Sequence, residues 1–124
     1  MDYRILIVDD IFVNRLLLKE IIQKSCLKCY EAQNGKEAID ILIKEDLDAI
    51  LMDIEMPVMN GLETTKYIRE KMHYPKKNIP IIALTAHNPA TFFDDFKDVG
   101  FNHLLTKPYS RDLLLSCLKQ VCGR

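Results

Sequence analysis

Short apolar runs rich in Ile, Leu and Val return along the chain, and the segments between them carry apolar residues at helical spacing. The runs are Arg4–Val8, Cys29–Ala32, Ala49–Met52, Ile79–Leu84 and His103–Thr106. The first, third and fourth are continuous rather than alternating, as parallel strands covered on both faces require. Helical segments follow each run. Val13, Leu16, Leu17 and Ile21 form the expected core stripe of the first, and Ala38, Ile41 and Leu42 that of the second, which Asn34-Gly35 opens. The third runs from Leu62 to Met72. In the fourth, Asn88 caps, Pro89 takes the first turn, Phe92, Phe96 and Val99 share a face, and Gly100 ends the helix. The fifth is capped by Ser110 and striped by Leu114, Cys117, Leu118 and Val121. The order predicts a doubly wound α/β fold, (βα)5, with a parallel sheet and helices on both faces, because crossovers between parallel strands are right-handed.

At 124 residues the chain is expected to be one domain, residues 1–124. Lys and Arg (17) nearly balance Asp and Glu (18), so charge argues for neither nucleic acid nor an anionic membrane. No apolar run approaches the ~20 residues of a membrane span, and MDYRILIVDD lacks the pattern of a signal peptide. A cytoplasmic location is the expectation. Cys26 and Cys29 form a CxxC, but no His or second CxxC supports a metal site. They are read as free thiols, as are Cys117 and Cys122 in the last helical stripe.

The strand ends carry the chemistry. Asp9-Asp10 follow the first strand, Asp53 the third, Thr85 the fourth and Lys107 the fifth. A parallel sheet brings all of these to one edge, where doubly wound folds bind ligands. Asp53 closes a greasy strand because that strand is a rigid mount. Clustered carboxylates repel and raise one another's pKa unless a cation sits among them. Mg2+ suits an all-oxygen site with few protein ligands. With Lys107 it would neutralise a transferring phosphoryl group, and an aspartate can be the nucleophile that accepts one. Singly, Asp10 reads more readily as a helix cap, Thr85 as an ordinary strand end and Lys107 as a solvated loop lysine. Their joint placement sets them apart.

The pieces LIVDDIFVNRLLLKEII, AQNGKEAI, ILMDIEMPVMNGLETTKYIR, PIIALTAH and LLTKPYS together resemble the receiver domains of two-component response regulators, over nearly the whole chain. The resemblance implies a flavodoxin-like five-stranded parallel sheet of order 2-1-3-4-5. It implies Asp53 as phospho-acceptor, with Asp10 as direct Mg2+ ligand and Asp9 as the acid that reaches the metal through water. It gives Glu55 a metal-binding backbone carbonyl, Thr85 and Lys107 contacts to the phosphoryl group, and Lys107–Pro108 a cis peptide. Gly61 matches the glycine of the loop after the acceptor strand. The implied partners are a histidine kinase or histidine phosphotransfer protein as donor and a downstream output protein or domain. The NR of the first helix, with ALTAH and LTKP, looks most like receivers of hybrid kinases, so a stand-alone regulator and the receiver of a larger chain both fit.

One departure stands out. Where the family usually places Tyr or Phe three residues before the lysine, this chain has Leu104, so no aromatic switch can operate there. Phe93 is a candidate partner contact, and Glu55 and His87 occupy positions that flank the mouth of the site. Two other readings compete. A haloacid-dehalogenase-like phosphatase would carry its nucleophile within DxD on the first strand, and this chain has adjacent acids there instead. A pseudo-receiver scaffold would lack one of the acids or the lysine, all of which are present. The expected chemistry is on the chain itself rather than that of an enzyme with a released substrate.

Overall fold

A computed structural model describes residues 3–24, 26–56, 58–86, 91 and 97–122. Its single sheet has strands β1 (Tyr3–Val8), β2 (Cys26–Ala32), β3 (Ala49–Asp53), β4 (Ile81–Thr85) and β5 (His103–Thr106), all parallel, in the order β2-β1-β3-β4-β5. Helices α1 (Phe12–Ile22), α2 (Gly35–Lys44), α3 (Gly61–Lys71) and α4 (Arg111–Cys122) cover it. The expected helix from Asn88 to Val99, with Phe92, Phe93, Phe96 and His87, lies largely outside the described residues. No described helix is long and apolar enough to cross a membrane.

Continuous apolar strands work because successive side chains enter opposite layers. Leu6 and Val8 of β1 join Ile50 and Met52 of β3 beneath α2 and α3. Ile5, Ile7 and Leu51 face the other way, against Leu18 and Ile22 of α1 and Leu114 and Leu118 of α4.

Local chemistry fixes the helix ends. Asn34 accepts from the Glu37 amide at 3.0 Å, and the Glu37 carboxylate accepts from the Gln33 amide at 3.0 Å. At the start of α3 the cap is a reciprocal box, in which the Asn60 and Glu63 side chains each accept from the other residue's amide. The Leu113 amide donates to Ser110 Oγ at 3.1 Å, as the expected cap requires. Gly100, expected to stop a helix, has φ +110°.

Several strand boundaries differ from expectation, and β1 begins one residue earlier, at Tyr3. β2 begins three residues earlier, at Cys26, where its register against Tyr3 and Arg4 slips. β4 begins at Ile81, because the Ile79 amide closes a 3-10 turn (Lys76–Asn78) on the Lys76 carbonyl at 3.1 Å and Pro80 has no amide to donate. β3 and β4 each extend one residue further than expected, to Asp53 and Thr85.

The stripe expected of α1 is wrong. Val13, Leu16 and Leu17 are 58%, 44% and 53% exposed, and the buried face is Arg15, Leu18 and Ile22. The helix carries two interleaved apolar stripes, and the sheet takes the second.

Thr65 of α3 is fully buried, and its hydroxyl has no hydrogen-bond partner. Thr65→Val keeps the shape and removes the orphaned polar atom, so it should stabilise the fold by about 1 kcal/mol. Urea unfolding checks this, and a Val variant no more stable than the parent refutes it.

Candidate functional site: an acidic cluster at the strand ends

The carboxyl edge of the sheet is built from four strands. β1 delivers Asp9 directly after Val8. The Asp9 amide donates to the Ala32 carbonyl at 3.1 Å, prolonging the β1–β2 ladder, and Asp9 Oδ1 accepts from the Ile11 amide at 2.9 Å. β3 ends in Asp53, which is 2% exposed, and Asp9 is 1% exposed. Asp10 is exposed beside them. Carboxylate oxygens of Asp9, Asp10 and Asp53 all lie within 4.8 Å of one another.

Lys107, just past β5, reaches Asp53 Oδ1 with its ammonium at 2.9 Å. Its amide donates to the Thr85 carbonyl at 2.8 Å, and the Lys107–Pro108 peptide is cis. Thr85 is buried at the end of β4, and its hydroxyl donates to Glu55 Oε2 at 3.0 Å. The Ala86 amide donates to the other Glu55 oxygen at 3.1 Å. The Glu55 carboxylate thus bridges the exits of β3 and β4. Leu104 is half-buried over the α2/α3 layer, paired with Ala83.

The electrostatics agree with an uncompensated anionic site. Burial lifts the Asp53 carboxyl to about 6, with Asp9 and Glu55 adding to the rise and Lys107 only partly offsetting it. Burial lifts Asp9 too, against the Ile11 amide and Lys107. Burial alone would lower Lys107, but Asp53, Asp9 and Glu55 reverse the sign and raise it. A divalent cation among these oxygens would offset both the burial cost of their charge and their mutual repulsion, so the donor set fits Mg2+.

A cleft of about 320 Å³ beside the cluster is lined by Asp9, Asn14, Leu17, Ile21, Lys107, Pro108 and Tyr109. Burial pushes the Tyr109 phenol up to about 12, and Asp9 and Asp53 push the same way. A larger cleft of about 690 Å³ lies at the opposite edge, among Leu47, Asp48, Lys76 and Cys122, far from this chemistry.

All the strand-end residues singled out in the sequence come together here. Sequence reasoning missed the role of Arg15, which holds the Asp9 carbonyl, and of Glu31, which holds Arg15 and also takes the Lys19 ammonium. The available signal was an arginine placed in line with Leu18 and Ile22. The four cysteines are free thiols.

Comparison with known proteins decides the family. Residues 5–119 match the response regulator receiver domain. The chain belongs to that family. This receiver domain is 33% identical over 120 residues to sporulation initiation phosphotransferase F of Bacillus subtilis (strain 168), covering 97% of this chain and 94% of that one. The receiver domain of sensor histidine kinase PA1611 from Pseudomonas aeruginosa PAO1, solved with a magnesium ion coordinated in its active site cleft, matches with TM-score 0.86 and 28% identity, covering all of both chains. The receiver domain of Saccharomyces cerevisiae Ssk1, co-crystallised with the histidine phosphotransfer signaling protein Ypd1, matches with TM-score 0.87 and 29% identity, covering 98% of this receiver domain and 90% of that chain.

Proposed function

We propose that Asp53 accepts a phosphoryl group from the phosphohistidine of a histidine kinase or phosphotransfer protein, in an Mg2+-dependent reaction. One observation carries this reading: a buried carboxylate stands at a strand end between two further acids and an ammonium 2.9 Å away. Asp53 supplies the oxygen nucleophile. The new O–P bond forms as the donor's P–N bond breaks, and the imidazole leaves. Asp9 and Asp10, with the Glu55 backbone carbonyl and Asp53 itself, would hold Mg2+, which when bound screens charge on the transferring group. Lys107 stands on the other side of the same carboxylate and meets the phosphoryl oxygens. Once Asp53 is phosphorylated, the Thr85 hydroxyl leaves Glu55 for a phosphoryl oxygen. Leu104 offers no ring to follow it, so the output change comes from Thr85 and the Glu55 bridge. The chemistry takes place on the chain itself, and no substrate is processed and released.

The test is an intact mass after incubation with phosphoramidate and Mg2+. One phosphoryl adduct that EDTA abolishes is expected. No adduct, together with no binding of beryllofluoride, would refute the reading and favour a scaffold role.

Exposed Phe12, Val13, Leu16 and Leu17 form an apolar face at the mouth of the site, and the reading assigns the protein donor to that face. Val13→Glu should slow transfer from a phosphorylated phosphotransfer protein by about tenfold. Uptake from phosphoramidate, which needs no docking face, should be unaltered. Equal transfer by both chains would remove α1 from the docking surface.

A further inference from the structure

Arg15 is 7% exposed and lies on the sheet-facing side of α1 in line with Leu18 and Ile22. A guanidinium there is costly unless its donors are used. One terminal nitrogen donates to the Asp9 carbonyl at 2.8 Å, and Nε donates to Glu31 Oε1 at 3.0 Å. Its carbon lies 5.6 Å from the centre of the Phe12 ring. The second Glu31 oxygen takes the Lys19 ammonium at 3.0 Å. Burial works to raise the Glu31 carboxyl, but Lys19 and Arg15 outweigh it and hold it below the usual range.

Asp9 is therefore gripped at three points: its amide by Ala32, its carboxylate by Ile11 and its carbonyl by Arg15. The carbonyl grip matters most for the neighbouring acid. The Asp9 carbonyl and the Asp10 amide share one rigid peptide plane. Holding that oxygen fixes the direction in which the chain leaves β1. The exposed Asp10 carboxylate starts from that plane, so its approach to Asp53 is set from below.

We infer that Arg15 is a positioning residue for the cation site, orienting Asp9 and Asp10 through the Asp9 carbonyl, and that Glu31 fixes Arg15 in turn. The inference rests on the Mg2+ reading above. Supports of metal ligands of this kind are worth about 10–100-fold in affinity.

Calorimetric Mg2+ titration of the parent, Arg15→Met, Arg15→Lys, Glu31→Gln and Lys19→Met, each with its own melting curve, tests it. Arg15→Met should bind Mg2+ at least about tenfold more weakly, and Arg15→Lys should recover part of the loss, since one ammonium cannot serve both acceptors. Glu31→Gln should fall between, and Lys19→Met should stay within about twofold of the parent. Phosphoramidate uptake by Arg15→Met should recover at saturating Mg2+, which a merely unstable protein would not show. A folded Arg15→Met chain that binds Mg2+ within about twofold of the parent overturns the inference. Should that variant fail to fold, parent-like affinity in both Arg15→Lys and Glu31→Gln overturns it. A parent that binds no Mg2+ overturns the underlying reading, a result distinct from parent-like variants.

Discussion

An Asp53→Asn chain will take up no phosphoryl group and will be more stable than the parent when no divalent cation is present. The first effect follows because the amide oxygen is a poor nucleophile and, among the described residues, Asp53 is the carboxylate that pairs with Lys107, at 2.9 Å. The second follows from burial. Asp53 is raised from 3.8 to about 6 in the folded chain. A raised carboxyl binds its proton more tightly when folded. Its favourable contribution is complete below the unfolded value of 3.8 and lost as pH climbs through about 6. At neutral pH the parent therefore holds an unfavourable charge that Asn lacks, worth on the order of 2 kcal/mol. Lys107 loses its partner, but it reaches water, so the offset is small. Urea unfolding from pH 4 to pH 8 should show the parent losing stability across that window and the variant losing less, since Asp9 is raised as well. A variant no more stable than the parent at neutral pH would refute the burial argument. Persistent phosphoryl uptake would refute the assignment of the acceptor. Mg2+ should narrow the difference by stabilising the parent alone.

Gly35→Ala should destabilise the fold by about 2–4 kcal/mol, although this glycine opens a helix where alanine is normally preferred. A Cβ at Gly35 would lie 1.8 Å from Thr64 Oγ1 and 2.9 Å from the Met59 carbonyl. Neither atom can give way cheaply. Thr64 is fully buried and donates to the Asn60 carbonyl at 2.7 Å, and the Met59 carbonyl accepts from the Gly35 amide at 3.0 Å. The start of α2 is therefore pressed against the loop that carries the chain from Asp53 into α3. That loop is packed on its other side too, since a Cβ at Gly61 would lie 2.6 Å from the Asp53 carbonyl. Chemical unfolding measures the loss, and a change below about 0.5 kcal/mol would show that the helix start can shift freely. The damage should extend to phosphoryl uptake, because the displaced loop begins at the acceptor.

The strands and the site were legible for one reason. Each apolar run ends where its polar residue begins, and a parallel sheet places those ends together whatever the details of the crossovers. Asp53 after AILM and Lys107 after HLLT could be placed without knowing a single helix contact. The face of α1 was not legible. Leu17 and Leu18 are neighbours in an apolar helix, and periodicity alone cannot say which of two overlapping stripes the sheet takes. Arg15 would have broken the tie: a buried arginine at that spacing is unfavourable unless acceptors wait for it, and the Asp9 carbonyl and Glu31 come from strands whose pairing has to be known first. The start of β2 was missed because CLKCY does not alternate and its register slips at Tyr3. The Asn60–Glu63 box was plain in the sequence and passed over.

If a donor docks on α1 as proposed, the outward apolar face of that helix also sets how quickly the donor can find this protein. The chain has a net charge of −1, so no strong field draws a partner in from a distance. Productive encounters on that face would then depend on unguided diffusion and chance alignment, at about 10⁵–10⁷ M⁻¹s⁻¹. Added salt should change that rate little, whereas in a charge-steered pair it would collapse. Discrimination among donors on that face would be exercised after contact, by residence time rather than by long-range attraction.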